Sequence, residues 1–261
     1  MKALYIPRNV NVKPPELVAH RGYALRYPEN TMLSLRAAIE ANAKYVEFDV
    51  QLTADGVSVL LHDVELWRTG GVDRSVFDMK LEDVMQVEVN ETARLGPRFS
   101  GVHIPLLGEI PALLTEHPEV RAFVEIKRAS LHRFGVDDVV QRVLAELTPV
   151  LSRCTIISFD RPAIEAARSF GAMTIGWVLE EWTEEVRVAV EEISPDYIFC
   201  DYRMVPDDEG LWSGSWSWAF YEVIDPELAL GLAAHGAQLV ETMAIKEMLS
   251  DRRMVMGRIS D

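Results

Sequence analysis

Two carboxylates one residue apart, Glu47 and Asp49, stand in the apolar run YVEFDV, and a third, Glu125, stands two residues before Lys127 in AFVEIK. An extended chain alternates its side chains, so Glu47 and Asp49 share one face while Val46, Phe48 and Val50 share the other. Burying carboxylates in strands this apolar is costly unless cations or donors compensate them. Glu47 and Asp49 alone fit a solvated edge strand as well as a site. With Glu125 they make a hard, all-oxygen donor set suited to one divalent cation, Mg2+ or Ca2+.

Histidines add to this set. His20 and His62 each end an apolar strand, in LVAH and VSVLLH, where a barrel has its active-site rim. An ordinary imidazole pKa of about 6.5 lets such a pair divide acid and base roles near neutrality. Either one alone reads as a structural histidine; the accompanying carboxylates and cations distinguish them from His103, His117, His132 and His235. Arg21 offers a planar fork that matches phosphate oxygens, and Lys127 a compact positive charge. The plainer role for both is to neutralise the carboxylates, and one cation can do both. Together the residues suit phosphoryl chemistry better than sugar or amide chemistry.

The elements that must position them alternate along the chain. Strand-like runs cover residues 17–20, 45–50, 57–62, 122–127, 155–159, 173–178, 197–200, 218–223 and 237–241. Helical patterns cover 31–41, with Asn30 as the expected cap, and 136–147, 162–170, 183–192, 226–234 and 242–249. Near-continuous apolar strands alternating with helices predict an α/β fold with a parallel sheet covered by helices, closed at this length as a TIM (β/α)8 barrel. Nine strands are one more than the barrel needs. The second and third are joined only by QLTADG, too short for a helical crossover, so a hairpin is expected there. A turn at Ala54-Asp55 places Glu47 opposite His62. Residues 63–120 read as an elaborated loop after the third strand, with short helices at 81–87 and 109–116, and residues 203–218 as a second, tryptophan-rich excursion.

The chain of 261 residues, 49% hydrophobic and 26% charged, is long enough for one core and is read as a single domain, 1–261. Its net charge of -15 argues against nucleic-acid partners and against adsorption to anionic membranes. Cys154 and Cys200 lie far apart in apolar runs and read as small core residues. The first residues, MKALYIPRNVNVKPP, contain no apolar leader core, and no 18-residue apolar run occurs, so no stable membrane insertion and a cytoplasmic location are expected. A homo-oligomer is compatible with all of this.

Most specifically over residues 17–69, and well to about 128, the chain resembles the glycerophosphodiester phosphodiesterases, of the phospholipase C-like (PLC-like) phosphodiesterase superfamily. The shared features are His-Arg-Gly, Pro-Glu-Asn-Thr, Glu-x-Asp, Asp-Gly and His-Asp, followed by LWRTGG, IPLLGEIPALL and VEIK. The likeness is weaker after about residue 128: Tyr221-Glu222-Val223-Ile224 replaces the family's Trp-Thr-Val-Asn, and Glu241-Thr242 replaces its closing Thr-Asp. The resemblance implies a TIM barrel and metal-dependent hydrolysis of a glycerophosphodiester to an alcohol and sn-glycerol 3-phosphate. It implies Glu47, Asp49 and Glu125 as metal ligands, His20 and His62 as the general base and general acid, and Arg21 and Lys127 as phosphate-binding residues. The departures bear on contacts to the substrate.

Three other readings compete. A zinc hydrolase of the amidohydrolase kind wants a His-x-His pair on the first strand, where this chain has His-Arg-Gly. A non-catalytic barrel that only binds phosphorylated ligands should lack a histidine or a metal carboxylate, and none is missing. A phospholipase-like enzyme acting on lysophospholipids through a cyclic phosphate shares the same residues. The stretch LWSGSWSWAF either lines the pocket for a bulky leaving group or packs on the barrel or in a dimer.

Overall fold

The computed structural model describes residues 12–206 and 209–255. Residues 1–11, most of the stretch MKALYIPRNVNVKPP on which the leader expectation falls, and residues 207–208 of the tryptophan-rich excursion lie outside the described residues.

All nine expected strands form: β1 (Glu16–Ala19), β2 (Tyr45–Leu52), β3 (Ser58–Leu60), β4 (Arg121–Ile126), β5 (Cys154–Ser158), β6 (Thr174–Val178), β7 (Tyr197–Cys200), β8 (Ser217–Phe220) and β9 (Leu239–Thr242). Eight of them pair in parallel, in the order β1, β2, β4, β5, β6, β7, β8, β9, and β9 returns to β1 to close the barrel. The supernumerary strand is β3, which pairs antiparallel with β2 outside the closed ring. Closure follows from strands apolar on both faces, since each must be covered inside and out.

The hairpin register differs by one residue from the expected one. Val50 pairs with Leu60, Gln51 with Val59 and Leu52 with Ser58, so Glu47 does not face His62. The turn is longer because Gly56 takes a left-handed φ of 77°, and Thr53 accepts on its carbonyl from Gly56 and on its hydroxyl from Val57. His62 lies two residues beyond the end of β3 and reaches the rim as part of a loop.

Inside the barrel, Val18, Phe123, Ile157, Val178, Phe199, Ala219 and Leu239 form a buried apolar plug. Outside, the opposite faces of the strands pack on the helices, among them those at Met32–Glu40, Val136–Leu147, Arg161–Ser169, Glu184–Ile193 and Pro226–Ala234. Thr31, Asp160, Thr183 and Asp225 cap four of these through side-chain oxygens. Thr31 therefore takes the position expected for Asn30, and the last expected helix starts only at Ile245, because Thr242 still belongs to β9.

The two excursions do different things. Residues 59–106 gather around their own apolar cluster of Val59, Leu61, Leu66, Val76, Met79, Val84 and Ile104. Between β7 and β8 no α-helix occurs among the described residues; Trp182, Trp212 and Trp218 stack there instead, with ring centroids 4.1 and 5.4 Å from Trp182. Trp212, Trp216 and Trp218 belong to the layer outside the barrel, and the carbonyl of Trp212 accepts from both other indoles. Of the two roles open to this stretch, the structure shows packing on the barrel. No helix among the described residues is long and apolar enough to cross a membrane.

Candidate active site

The loop between β1 and the first helix is built so that its polar groups turn inward. Arg21, Gly22 and Asn30 all have left-handed φ, at 54°, 76° and 53°. A Cβ at Gly22 would come within 2.6 Å of the Ser34 backbone carbon, so only glycine fits. Strain at the two other residues is offset by specific bonds. The Arg21 amide donates to Glu47 Oε2 at 2.9 Å, and the Asn30 amide to the Arg21 carbonyl at 3.1 Å. The Asn30 carboxamide grips Asp49, donating to Oδ2 at 2.8 Å and accepting from the Asp49 amide at 3.0 Å.

Strand alternation then delivers the carboxylates. Glu47 and Asp49 on β2 and Glu125 on β4 point into the barrel above the apolar plug, and one oxygen of each lies within 4.8 Å of the others. Lys127 Nζ donates to Glu125 Oε1 at 2.6 Å and stands 3.2 Å from Asp49 Oδ1; Arg21 Nε is 3.2 Å from Asp49 Oδ2. Five of the predicted site residues thus meet in one cluster. His20 joins it, with Nε2 4.0 Å from Glu47 Oε2. His62 stands near enough to act electrostatically on His20, Asp49 and Glu125 when it is protonated.

A fourth buried acid, Glu241, arrives from β9, with Oε2 3.9 Å from His20 Nε2. Its only signal in the sequence is the departure at Glu241-Thr242. Three further partners, Glu29, Asp63 and Arg68, lie within the shared motifs Pro-Glu-Asn-Thr, His-Asp and LWRTGG. Glu29 binds Arg21 at 2.9 Å and takes two bonds from Arg68, at 2.7 and 2.8 Å. Asp63 accepts from Arg68 and lies 2.6 Å from His62 Nδ1. Glu91, which no motif marks, accepts from the Glu29 amide at 2.7 Å and is held by Arg94, whose guanidinium also binds the carbonyls of Ala24 and Tyr27. The long excursion after β3 therefore braces the loop that carries His20 and Arg21.

The electrostatics follow from burial and neighbours. Burial raises Glu47 well above the usual carboxylate range, reinforced by Asp49 and Glu241. Burial likewise raises Glu241, with Glu125 and Asp49 adding to it, and raises Glu125 against the pull of Lys127. Burial opposes ionisation of Asp49 too, yet Lys127 and Arg21 hold its carboxyl well below the usual range. Burial and then the Arg21 charge push His20 down to about 3. The hydrogen bond with His62, and then Arg68, keeps Asp63 ionised. An ionised Asp63 fixes the proton of His62 on Nδ1 and leaves Nε2 free.

Glu47, Asp49, Glu125 and Glu241 face only two cations, Arg21 and Lys127, in this cluster. Glu47 Oε1 is buried without a hydrogen-bond partner. A surplus of close oxygens, one of them unpartnered, fits a divalent cation. The three clustered residues are all carboxylates, so the histidine-held zinc arrangement has no counterpart among the described residues.

Fold and cluster together define a TIM-barrel enzyme that hydrolyses phosphoric diesters. The sequence profile of the glycerophosphoryl diester phosphodiesterase family matches residues 20–189, and the chain belongs to that family. It is 27% identical over 197 residues to a glycerophosphodiester phosphodiesterase of Caldanaerobacter subterraneus subsp. tengcongensis, covering 73% of this chain and 78% of that one. It is 32% identical over 150 residues to one from Bacillus altitudinis, covering 57% of this chain and 60% of that one. Its fold is similar to that of an Oleispira antarctica phosphodiesterase solved in complex with the product sn-glycerol-3-phosphate, with a TM-score of 0.79, 21% identity, and coverage of 91% of this chain and 96% of that one. A glycerophosphodiester phosphodiesterase from Agrobacterium tumefaciens superposes with a TM-score of 0.71 at 18% identity, over 90% and 99% of the two chains.

Proposed function

We propose that the whole chain, as one cytoplasmic domain, hydrolyses glycerophosphodiesters to an alcohol and sn-glycerol 3-phosphate with one divalent cation, Mg2+ or Ca2+, as cofactor. The observation that carries this reading is the convergence of three carboxylates, two imidazoles and two cations at the carboxyl-terminal mouth of a barrel of this family.

Glu47, Asp49 and Glu125 would hold the cation, which when bound supplies Lewis-acid stabilisation of charge on the phosphoryl oxygens. Arg21 and Lys127 already stand against the same carboxylates and present positive charge to the phosphate. His62, with Asp63 on Nδ1, is suited to give a proton to the departing alkoxide, because the carboxylate stabilises the imidazolium that must form first. His20, kept unprotonated by burial and the Arg21 charge, has Nε2 free to take the proton of the attacking oxygen, and Asp49 and Glu29 offset the positive charge it then gains. Asn30 and Glu29 keep Asp49 and Arg21 in place while charge moves.

The test is release of glycerol 3-phosphate from a panel of glycerophosphodiesters with Mg2+, with Ca2+ and with EDTA. Turnover with a metal and loss in EDTA are expected, and His20→Ala and His62→Ala should each cost about a hundredfold or more. Full activity in EDTA would refute the metal assignment, and no turnover under any condition would refute the reading itself.

A further inference from the structure

Acidic side chains outnumber basic ones by 41 to 26 in this chain, yet one cavity of the described residues is lined by no carboxylate at all. It has a volume of about 430 Å3 and is lined by Tyr23, Arg26, Tyr27, Arg98, Phe99 and Lys246. These come from the loop after β1, the turn at Pro97–Phe99 and the helix Ile245–Ser250 that follows β9, so the cavity opens beside the mouth. No member of the carboxylate and histidine cluster lines it. The carboxylate paired with any of its three cations, among the described residues, is Glu247, which binds Arg26 at 2.9 Å and accepts from the Tyr23 hydroxyl at 2.7 Å. Arg98 gives its Nε to the Leu95 carbonyl and rests its guanidinium 5.3 Å from the Phe99 ring centroid. Tyr23, Tyr27 and Phe99 form a continuous aromatic wall, with successive centroids 5.6 and 5.7 Å apart. The wall is fixed in place, since Glu247 pins the Tyr23 hydroxyl and Arg94 binds the Tyr27 carbonyl at 3.1 Å.

Charge, rings and volume together define the ligand. Three cations against one acid leave a surplus of two positive charges, which calls for a doubly charged anion. A phosphomonoester carries close to two negative charges near neutrality, whereas a phosphodiester carries one. Arginine forks and a lysine ammonium both suit its oxygens. A bare phosphate would leave the aromatic wall uncovered and most of the cavity empty, so the anion must carry an organic group that packs on rings, and a flat one does this best. The volume falls in the range of about 300–1,000 Å3 usual for small organic ligands. We propose that this cavity binds a phosphomonoester bearing a flat ring, of the nucleoside monophosphate class. Its phosphate lies against Arg26, Arg98 and Lys246, and its ring against Tyr27 and Phe99. The site is separate from the mouth, and it stands whether or not the mouth hydrolyses diesters.

Calorimetric titration of the full chain with AMP, adenosine and inorganic phosphate tests this, in metal-free buffer so that no cation bridges AMP to the mouth carboxylates. AMP should bind one to one, and adenosine and phosphate should each bind at least about tenfold more weakly. Arg98→Glu and Lys246→Glu reverse charges at exposed positions and should each weaken AMP by about tenfold or more. Phe99→Ala should weaken AMP by about five- to a hundredfold and leave the affinity for phosphate unmoved. Absence of AMP binding to wild type overturns the proposal. AMP affinity unmoved by both charge reversals overturns it too, because AMP then sits in the mouth or elsewhere. Phosphate binding as tightly as AMP, with Phe99→Ala without effect, removes the ring and the proposal with it. Thermal unfolding provides the folding control: both charge reversals should leave Tm unchanged, and if one variant fails to fold the other still decides.

Discussion

The two halves of the barrel mouth are built on opposite principles. On the side of β1, β2, β4 and β9, inward positions carry His20, Glu47, Asp49, Glu125, Lys127 and Glu241, and almost every charge touches another. On the side of β5 to β8 the inward positions are Ile157, Phe159, Val178, Phe199, Ala219 and Tyr221. One half gathers charge; the other keeps water and competing dipoles away, which strengthens electrostatics across the site. Support differs in the same way. The charged half is braced by the excursion after β3 through Glu91, Arg94 and Arg68, whereas the apolar half is backed by stacked tryptophans where a helix is missing. Charge must be held by directional bonds in depth, while apolar contact needs only volume.

That contrast breaks most sharply at Asp49, the carboxylate shared by Arg21, Lys127 and Asn30. Asp49→Ala should lower turnover by about a thousandfold or more and abolish any rise in Tm on adding Mg2+ or Ca2+, both measurable on one preparation. A variant that still gained Tm from the metal would move the cation site elsewhere. A smaller effect is expected one layer out. Glu29→Gln leaves Arg21 and Arg68 without their common carboxylate, so kcat/KM should fall by about ten- to a hundredfold and stability by about 1–3 kcal/mol in denaturant unfolding. If activity held, the bracing by the excursion would be irrelevant to chemistry. The smallest effect on turnover belongs to the apolar half. Trp218→Ala should cost about 3–5 kcal/mol of stability, yet the folded fraction should keep its kcat within about twofold. A collapse of kcat in fully folded Trp218→Ala would place the tryptophans in the pocket after all.

Reading the chain alone went furthest where chemistry and periodicity coincide. In YVEFDV and AFVEIK the alternation of strands and the unusual charges lead to the same inward face, and the structure brings Glu47, Asp49, Glu125 and Lys127 together there. The hairpin after β2 was legible as a hairpin but not in register, because one glycine in a left-handed turn shifts every pair. Asn30 has the residue type of a helix cap, but its bond to Asp49 spans a loop whose path no local pattern specifies. Glu91 and Arg94 were invisible for the same reason, lying 62 to 70 residues from the amide and carbonyls they bind.

What the sequence by itself determined is the alternation of elements, the inward faces of the strands and the chemical types at their ends, since all three follow from local periodicity and residue identity. Which strand stands outside the ring, how the excursion grips the first loop, and that Glu241 meets His20 across the closing β9–β1 seam were decided only by the tertiary structure. The reason is physical: closing the barrel pairs its last strand with its first, and no short-range rule records which side chains that closure brings face to face.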